Sequence, residues 1–387
     1  MTIEDAAHES AHAGRVLARL RERIAAAGGW LPFDAYMQLA LYEPGLGYYS
    51  AGAHKLGDGG DFTTAPEISP LFGRCLARHC REVLAATPGG DILEIGAGSG
   101  RLACDVLTAL AQADALPARY RILEISADLR ERQRTLLARL PPPLGTRVEW
   151  LDAPPAQPWH GALLANEVLD ALPVQCFAWR DGEVFERGVA LDAAGKPCWR
   201  EVPASASLQV EVERVRADAG AAWISGHVAE LCMRTGPWLG EVTRAMSRGV
   251  ALFIDYGLPR RDYYHPQRSA GTLRSHHRQR AHDDPFARPG MEDLTAWVDF
   301  TRVAEAADAA GLDVLGYTTQ AALLLGLGIE AEVAAAPDET TRIRRAGEAR
   351  RLLMPEEMGE SFKAMALGRG FTTAPGGLVV QDLRSRL

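Results

Sequence analysis

Short apolar runs alternate with segments of helical periodicity from residue 91 towards the end of the chain. Between the runs, apolar side chains recur every three or four positions, which is typical of amphipathic helices. This alternation predicts an α/β fold with a parallel, doubly wound sheet. The predicted strands are 91–95, 121–124, 147–150, 162–165, 250–255, 313–318 and 363–367. The predicted helices are 15–27, 33–41, 69–86, 102–111, 129–140, 238–246, 299–310, 319–335 and 339–353.

The connection between the fourth and fifth strands is far longer than the few residues that such connections usually need. The connection contains three further predicted strands, which turn residues separate: 176–179, 184–190 and 199–202. We therefore predict a small antiparallel insertion between strands four and five. Residues 256–292 are rich in Arg, His, Asp and Pro and are predicted to form a long polar loop.

Composition narrows the class of protein. The 387 residues are 47% hydrophobic, which is enough for a large core, and the net charge of −8 argues against general nucleic-acid binding. The sequence contains no apolar run long enough to span a bilayer, and its first residues lack the apolar core of a signal peptide. The six cysteines form no C-x-x-C pair, so we expect reduced thiols and a cytoplasmic location.

The first predicted strand runs into a glycine turn with the pattern E-x-G-x-G-x-G, formed by Glu94, Gly96, Gly98 and Gly100. A dinucleotide-binding turn more often places its third glycine one residue later. Glycines at the carboxyl end of a strand let a nucleotide-like ligand approach bare backbone. S-adenosylmethionine has no diphosphate to bind, and its sulfonium and amino-acid tail suit a carboxylate beside the turn. We therefore predict S-adenosyl-L-methionine as the cofactor.

Two further acids follow strands on the same predicted edge of the sheet. Glu124 ends the second strand, where a carboxylate binds the ribose diol of a nucleotide ligand. Asp152 follows the third strand and is predicted to reach the adenine amino group. The alternative for each is an ordinary solvated acid at the end of a strand.

The segment after the fourth strand holds Asn166, Glu167 and Asp170 within five positions. Two carboxylates this close repel each other unless a cation lies between them. A guanidinium is planar and can donate to both, so the segment is predicted to be a catalytic site that fits a guanidinium. The alternative is a helix start capped by Asp170, with Pro173 in its first turn.

Asp255 and Tyr256 follow the fifth strand and are predicted to face the same cleft as helpers in catalysis. The alternative is a simple turn. The polar loop contains His276, His277 and His282, but their spacing matches no closed metal site, so no metal is predicted.

These motifs together resemble the MidA-like family of S-adenosylmethionine-dependent methyltransferases, whose mitochondrial members are respiratory complex I assembly factors. The likeness is most specific in GDFTTAPE at 60–67 and NEVLDALP at 166–173, and it extends to LEIS at 123–126 and DYG at 255–257. The chain departs from the family at Ala97 and Ser99, where Pro and Arg are common, and at Trp297, where His is common.

The resemblance implies a Rossmann-like class I methyltransferase sheet and methylation of arginine on a protein partner, with a respiratory complex subunit as one candidate. It adds Thr63 and Thr64, which are predicted to fold over the cofactor, and Ser126 to the cofactor site. The predicted segments are an N-terminal helical part with the lid at 1–88, the methyltransferase domain at 89–174 and 248–387, and an inserted substrate-side subdomain at 175–247.

Two other functions remain open at this point. The first is a small-molecule methyltransferase of the same fold, which a deep pocket closed by residues 256–292 would favour. The second is an assembly or binding factor that keeps the fold without turnover, because a fold alone does not establish an activity.

Overall fold

The computed structural model describes residues 3–50, 64–277 and 280–387. The helices are α1 Ile3–Ala26, α2 Phe33–Tyr42, α3 Ala65–Ile68, α4 Pro70–Ala86, α5 Arg101–Gln112, α6 Ala127–Leu137, α7 Ala206–Asp218, α8 Thr235–Thr243, α9 Arg260–Tyr263, α10 Phe300–Ala309, α11 Gln320–Gly326, α12 Ile329–Ala334 and α13 Glu339–Leu353. The strands are β1 Leu31–Pro32, β2 Asp91–Ile95, β3 Tyr120–Leu123, β4 Val148–Leu151, β5 Trp159–Asn166, β6 Gln175–Arg180, β7 Glu183–Leu191, β8 Pro197–Pro203, β9 Val228–Leu231, β10 Met246–Leu258, β11 Arg274–His277, β12 Arg280–His282, β13 Asp293–Thr295, β14 Val298–Asp299, β15 Asp313–Thr319 and β16 Phe362–Arg369.

The chain forms two compact units, which differ from the three predicted segments. The first unit contains Met1–Phe62, Asp170–Arg234 and Leu258–Trp297, and the second contains Thr63–Leu169, Thr235–Gly257 and Val298–Leu387. No helix in the described part of the chain is long and apolar enough to cross a membrane.

The second unit contains an eight-stranded sheet in the order β15-β16-β10-β5-β2-β3-β4, with β14 paired to β10. The strands from β10 to β4 are parallel, whereas β16 is antiparallel to both β10 and β15. The Rossmann-like α/β class is therefore confirmed, and the sheet is mixed rather than wholly parallel. An apolar run indicates a buried strand but carries no information on the direction of that strand. The sequence pattern therefore did not distinguish a parallel strand from an antiparallel one.

Burial on both faces of this sheet explains its near-continuous apolar strands. All five residues of β2 are buried, and helices α4 and α5 contribute one long apolar face each to the same core. The helix predicted at 319–335 is two helices, because Gly328 adopts a left-handed φ of +77° and begins α12. The predicted core of the methyltransferase sheet is thus present, with the helix predicted at 319–335 interrupted.

The first unit contains the predicted antiparallel insertion. Its sheet has the order β1-β7-β6-β9, with β8 paired to β7, and a second sheet has the order β12-β11-β13. Helix α7 and strand β9 were not predicted. The prediction of a long loop at 256–292 is wrong in part, because α9, β11 and β12 lie within it.

Candidate active site

Strands β2 and β5 are adjacent and parallel, and the strand order reverses between them. In an open α/β sheet, ligands bind at the carboxyl ends of the strands at this reversal. Gly96, Gly98 and Gly100 follow β2 with φ values of +65°, +54° and +86°, which strain any residue with a side chain. A Cβ on Gly96 would lie 3.2 Å from Cγ2 of Val168, so the glycine turn packs against the segment after β5.

Glu124, directly after β3, is held in one orientation. Its side chain is buried, with Oε1 accepting from the backbone N–H of Ser126 at 2.9 Å and Oε2 accepting from Nε2 of Gln133 at 3.1 Å. Burial raises the pKa of this carboxyl, while the two hydrogen bonds oppose that shift. The next residue, Ile125, is apolar and yet 66% exposed. A carboxylate with free acceptor capacity can bind a ribose diol, and the exposed apolar side chain beside it can pack against a base.

Ile125 was not predicted as a site residue, although the sequence carried a signal. Ile125 is apolar but follows the acid Glu124, so it lies outside the buried run of the strand. Such a residue faces solvent unless a ligand covers it.

Ser126 and Asp152, predicted for the cofactor, make contacts that support the protein itself. The Ser126 hydroxyl accepts from the N–H of Leu129 at 3.4 Å and caps α6. Asp152 is 91% exposed and pairs with Arg130, whose Nη2 lies 2.5 Å from Oδ1. Their contacts with the cofactor stay predictions.

Glu94 lies inside β2, since the strand continues to Ile95. Its carboxyl accepts from the hydroxyl of Tyr120 at 2.7 Å, and burial raises its pKa to about 7. The carboxyl is buried, and Glu94 lies two residues before Gly96 of the glycine turn.

The predicted lid is described only in part. Thr63 lies outside the described residues, and Thr64 precedes α3 without capping it through its side chain. In α3, the carboxylate of Glu67 accepts a hydrogen bond from the hydroxyl of Ser99 in the glycine turn. This contact holds α3 against the turn.

Asn166 is the last residue of β5, and Glu167 follows it. Glu167 has a φ of +54°, which a residue with a side chain rarely adopts, and its N–H donates to the carbonyl of Ile254 at 2.9 Å. Nδ2 of Asn166 donates to Oε1 of Glu167 at 2.9 Å. Backbone strain of this kind concentrates at functional sites, where the surroundings hold it in place.

Asp255 supports this segment from the neighbouring strand. Its buried Oδ2 accepts from the N–H groups of Val168 at 3.1 Å and Leu169 at 2.8 Å, and Oδ1 accepts from the N–H of Tyr256 at 2.8 Å. These contacts give Asp255 a positioning role, which differs from the predicted role as a helper facing the cleft. The Tyr256 ring packs against Phe362, with 4.0 Å between ring centroids.

Asp170 belongs to the first unit, where it is buried and its carbonyl accepts from the N–H of Ala296 at 3.0 Å. No helix begins here: residues 167–174 form turns that lead into β6. The alternative interpretation of Asp170 as a helix cap is therefore wrong. The predicted pairing of Asp170 with Glu167 stays a prediction.

The strand order, the glycine turn and the oriented carboxylate of Glu124 define a Rossmann-like methyltransferase, and the exposed backbone and Ile125 fit an adenosyl ligand. A family model described as "Putative S-adenosyl-L-methionine-dependent methyltransferase" matches residues 75–318. The chain therefore belongs to the MidA-like family of S-adenosylmethionine-dependent methyltransferases.

Named relatives and a solved structure support this family assignment. Protein arginine methyltransferase NDUFAF7, mitochondrial, of Mus musculus is 30% identical over 86% of this chain and 79% of its own length. Its homologue from Drosophila melanogaster is 31% identical over 95% of this chain and 87% of its own length. A Burkholderia thailandensis protein, crystallised with S-adenosyl-homocysteine, is 41% identical, covers 98% of both chains and superposes with a TM-score of 0.92. The predicted enzyme class and the predicted cofactor are confirmed.

Proposed function

We propose that this methyltransferase methylates arginine on a protein partner. The observation that carries the proposal is Glu167, which follows β5 in a left-handed backbone conformation and directly precedes Val168, the residue that packs against the glycine turn. The names of the relatives from Mus musculus and Drosophila melanogaster, both protein arginine methyltransferases, support the same acceptor.

On the donor side, the backbone of the glycine turn binds the amino-acid part, Glu124 binds the ribose diol and Ile125 packs on the adenine. S-adenosylmethionine supplies an electrophilic methyl group on a sulfonium. Thr63, Thr64, Ser126 and Asp152 complete the proposed donor site by prediction. Glu94, which is buried, belongs to the proposed donor site by prediction as well.

On the acceptor side, Glu167 binds and orients the guanidinium so that one nitrogen points at the methyl group. Asn166 fixes Glu167 through the 2.9 Å hydrogen bond, and Oδ1 of Asn166 has no hydrogen-bond partner within residues 3–50, 64–277 and 280–387. In the proposed step, a bond forms between one guanidinium nitrogen and the methyl carbon while the bond from that carbon to sulfur breaks. S-adenosyl-homocysteine leaves as a neutral thioether, and the nitrogen releases one proton to solvent. No new charge has to be created, so alignment of the reactants supplies most of the rate.

The test is methyl transfer from labelled S-adenosylmethionine to a partner protein, read as methylarginine by mass spectrometry. Glu167→Gln is expected to lower transfer roughly 100-fold or more while binding S-adenosyl-homocysteine as the wild type does. Glu131→Gln, an exposed acid on α6, is the control and retains full transfer. Full transfer by Glu167→Gln would refute the acceptor assignment. A methylated small molecule would favour the first alternative function, and binding without any transfer would favour the second.

The partner and the cell compartment belong to the same proposal. A respiratory complex subunit is the candidate partner, which is expected to gain methylarginine only when the active protein is present. The cytoplasmic location is supported by the cysteines, all of which are free thiols, as a reducing compartment requires. The relatives from Mus musculus and Drosophila melanogaster are named as mitochondrial proteins, so fractionation of cells decides the location for this chain.

A further inference from the structure

Gln133, on helix α6, is a completely buried polar side chain that contacts three parts of the donor site. Its Nε2 donates to the carbonyl of Gly98 at 2.9 Å and to Oε2 of Glu124 at 3.1 Å. Its Oε1 accepts from Nε1 of Trp150 at 2.9 Å. One amide therefore joins the glycine turn, the ribose-binding acid and the strand β4.

The chemistry of the partners fixes which way this amide points. An indole N–H can only donate, so Trp150 requires the amide oxygen. A backbone carbonyl and an ionised carboxylate can only accept, so Gly98 and Glu124 require the amide nitrogen. No other orientation satisfies all three partners, and a buried polar group left unpaired is costly.

Helix α6 is anchored so that Gln133 keeps this position. Nε of Arg130 donates to the carbonyl of Glu124 at 2.6 Å, and Nη2 donates to the carbonyl of Leu151 at 2.7 Å. The turn can approach the helix closely because Gly100 lacks a side chain: a Cβ there would lie 3.3 Å from Cγ of Gln133.

We propose that Gln133 is a positioning residue of the donor site, which sets the distance between the glycine turn and Glu124 and orients the Glu124 carboxylate towards the ribose of S-adenosylmethionine. This inference rests on the donor-site assignments of the proposed function. It predicts that the loss of Gln133 weakens the recognition of the ribose hydroxyls in particular, as well as overall affinity.

The test compares calorimetric affinities for S-adenosyl-homocysteine and for its 2′-deoxy analogue. Gln133→Glu keeps the shape of the side chain but turns an acceptor towards Gly98 and Glu124, so affinity for S-adenosyl-homocysteine is expected to fall roughly 10- to 100-fold. The affinity ratio between the two ligands is expected to shrink, because Glu124 no longer meets the 2′-hydroxyl. A merely structural role would leave that ratio unchanged.

Gln320→Glu is the matched control. Gln320 is also a completely buried glutamine in the second unit, and its Nε2 donates to the carbonyl of Leu352 at 3.0 Å. This variant is expected to lose thermal stability while keeping both affinities. If Gln133→Glu does not fold, Trp150→Phe decides, because it frees the amide of Gln133 to rotate and is expected to weaken binding several-fold.

Glu124→Gln separates failure of this inference from failure of the proposed function. If Glu124→Gln loses affinity while Gln133→Glu and Trp150→Phe bind both ligands as the wild type does, the positioning role of Gln133 is overturned. If Glu124→Gln itself binds normally, the donor-site assignment fails and the inference fails with it.

Discussion

Replacing Glu167 by glycine separates the effect of this residue on the free energy of unfolding from its effect on methyl transfer. A residue with a side chain in the left-handed region costs about 1–2 kcal/mol, and Glu167 has a φ of +54°. Glycine removes that strain but loses about 0.5–1 kcal/mol through greater freedom of the unfolded chain. The backbone hydrogen bond from Glu167 to Ile254 survives the substitution. We therefore expect the free energy of unfolding of Glu167→Gly to lie within about 1 kcal/mol of the wild type, or above it.

The assay is urea unfolding beside methyl transfer and calorimetric binding of S-adenosyl-homocysteine. Stability and binding are expected to persist while transfer is lost. Asp181→Gly is the matched control, since Asp181 has a φ of +51° in the turn between β6 and β7 and should change stability similarly with full activity. A loss of more than about 2 kcal/mol in Glu167→Gly would show that the side chain serves the fold, and retained transfer would remove it from the acceptor site.

Three further substitutions test other parts of the molecule. Asp255→Ala removes the acceptor of three backbone N–H groups and should lower the free energy of unfolding by about 2–5 kcal/mol in urea; a change below about 1 kcal/mol would contradict the positioning role. His79 is fully buried, and burial lowers its pKa to about 4, so only the unfolded state binds its proton as the pH falls from 6.5 to 4. His79→Leu should therefore lose less stability across that window than the wild type, and parallel pH profiles would refute the shift. Gly100→Ala should weaken S-adenosyl-homocysteine binding about tenfold or more, because its Cβ meets Gln133, whereas Gly311→Ala, with φ +70° and open space around it, should bind normally.

The strands of the methyltransferase sheet were predictable because burial on both faces leaves an apolar run. The predicted 91–95 matches β2, which turn-forming glycines bound on both sides. Strand β5 was predicted too short, as 162–165, because it begins with Trp159, His160 and Gly161, which do not form an apolar run.

Helix α7 was missed although its pattern was present. Leu208, Val212 and Val215 recur at helical spacing and are the buried residues of the helix. Polar residues and the exposed Val210 fill the positions between them, and Val210 blurs the helical period. Strand β9 was missed because four residues supply too little alternation to distinguish a strand.

For the candidate site as well, local sequence signals were predictable and contacts between distant parts of the chain were not. Most of the residues proposed to contact a ligand could be named from the sequence, because the ends of parallel strands and glycine turns carry local signals. The supporting contacts could not: Asp255, predicted only as a catalytic helper, reaches a segment 87 positions earlier in the chain, and Gln133 reaches a turn 35 positions earlier. No periodicity reports such a contact, since it exists only after the sheet has assembled.

The supporting side chains carry particular weight for this reaction. In the proposed reaction, methyl transfer from a sulfonium to a nitrogen of the acceptor creates no new charge, so the protein gains less from an acid or a base than from alignment of the reactants. Alignment here depends on two segments, the glycine turn after β2 and the segment after β5, which pack against each other at Gly96 and Val168. Gln133 holds the first segment and Asp255 holds the second, each through buried hydrogen bonds. Substitutions at these two residues should therefore reduce the rate as steeply as substitutions at the contacting residues do.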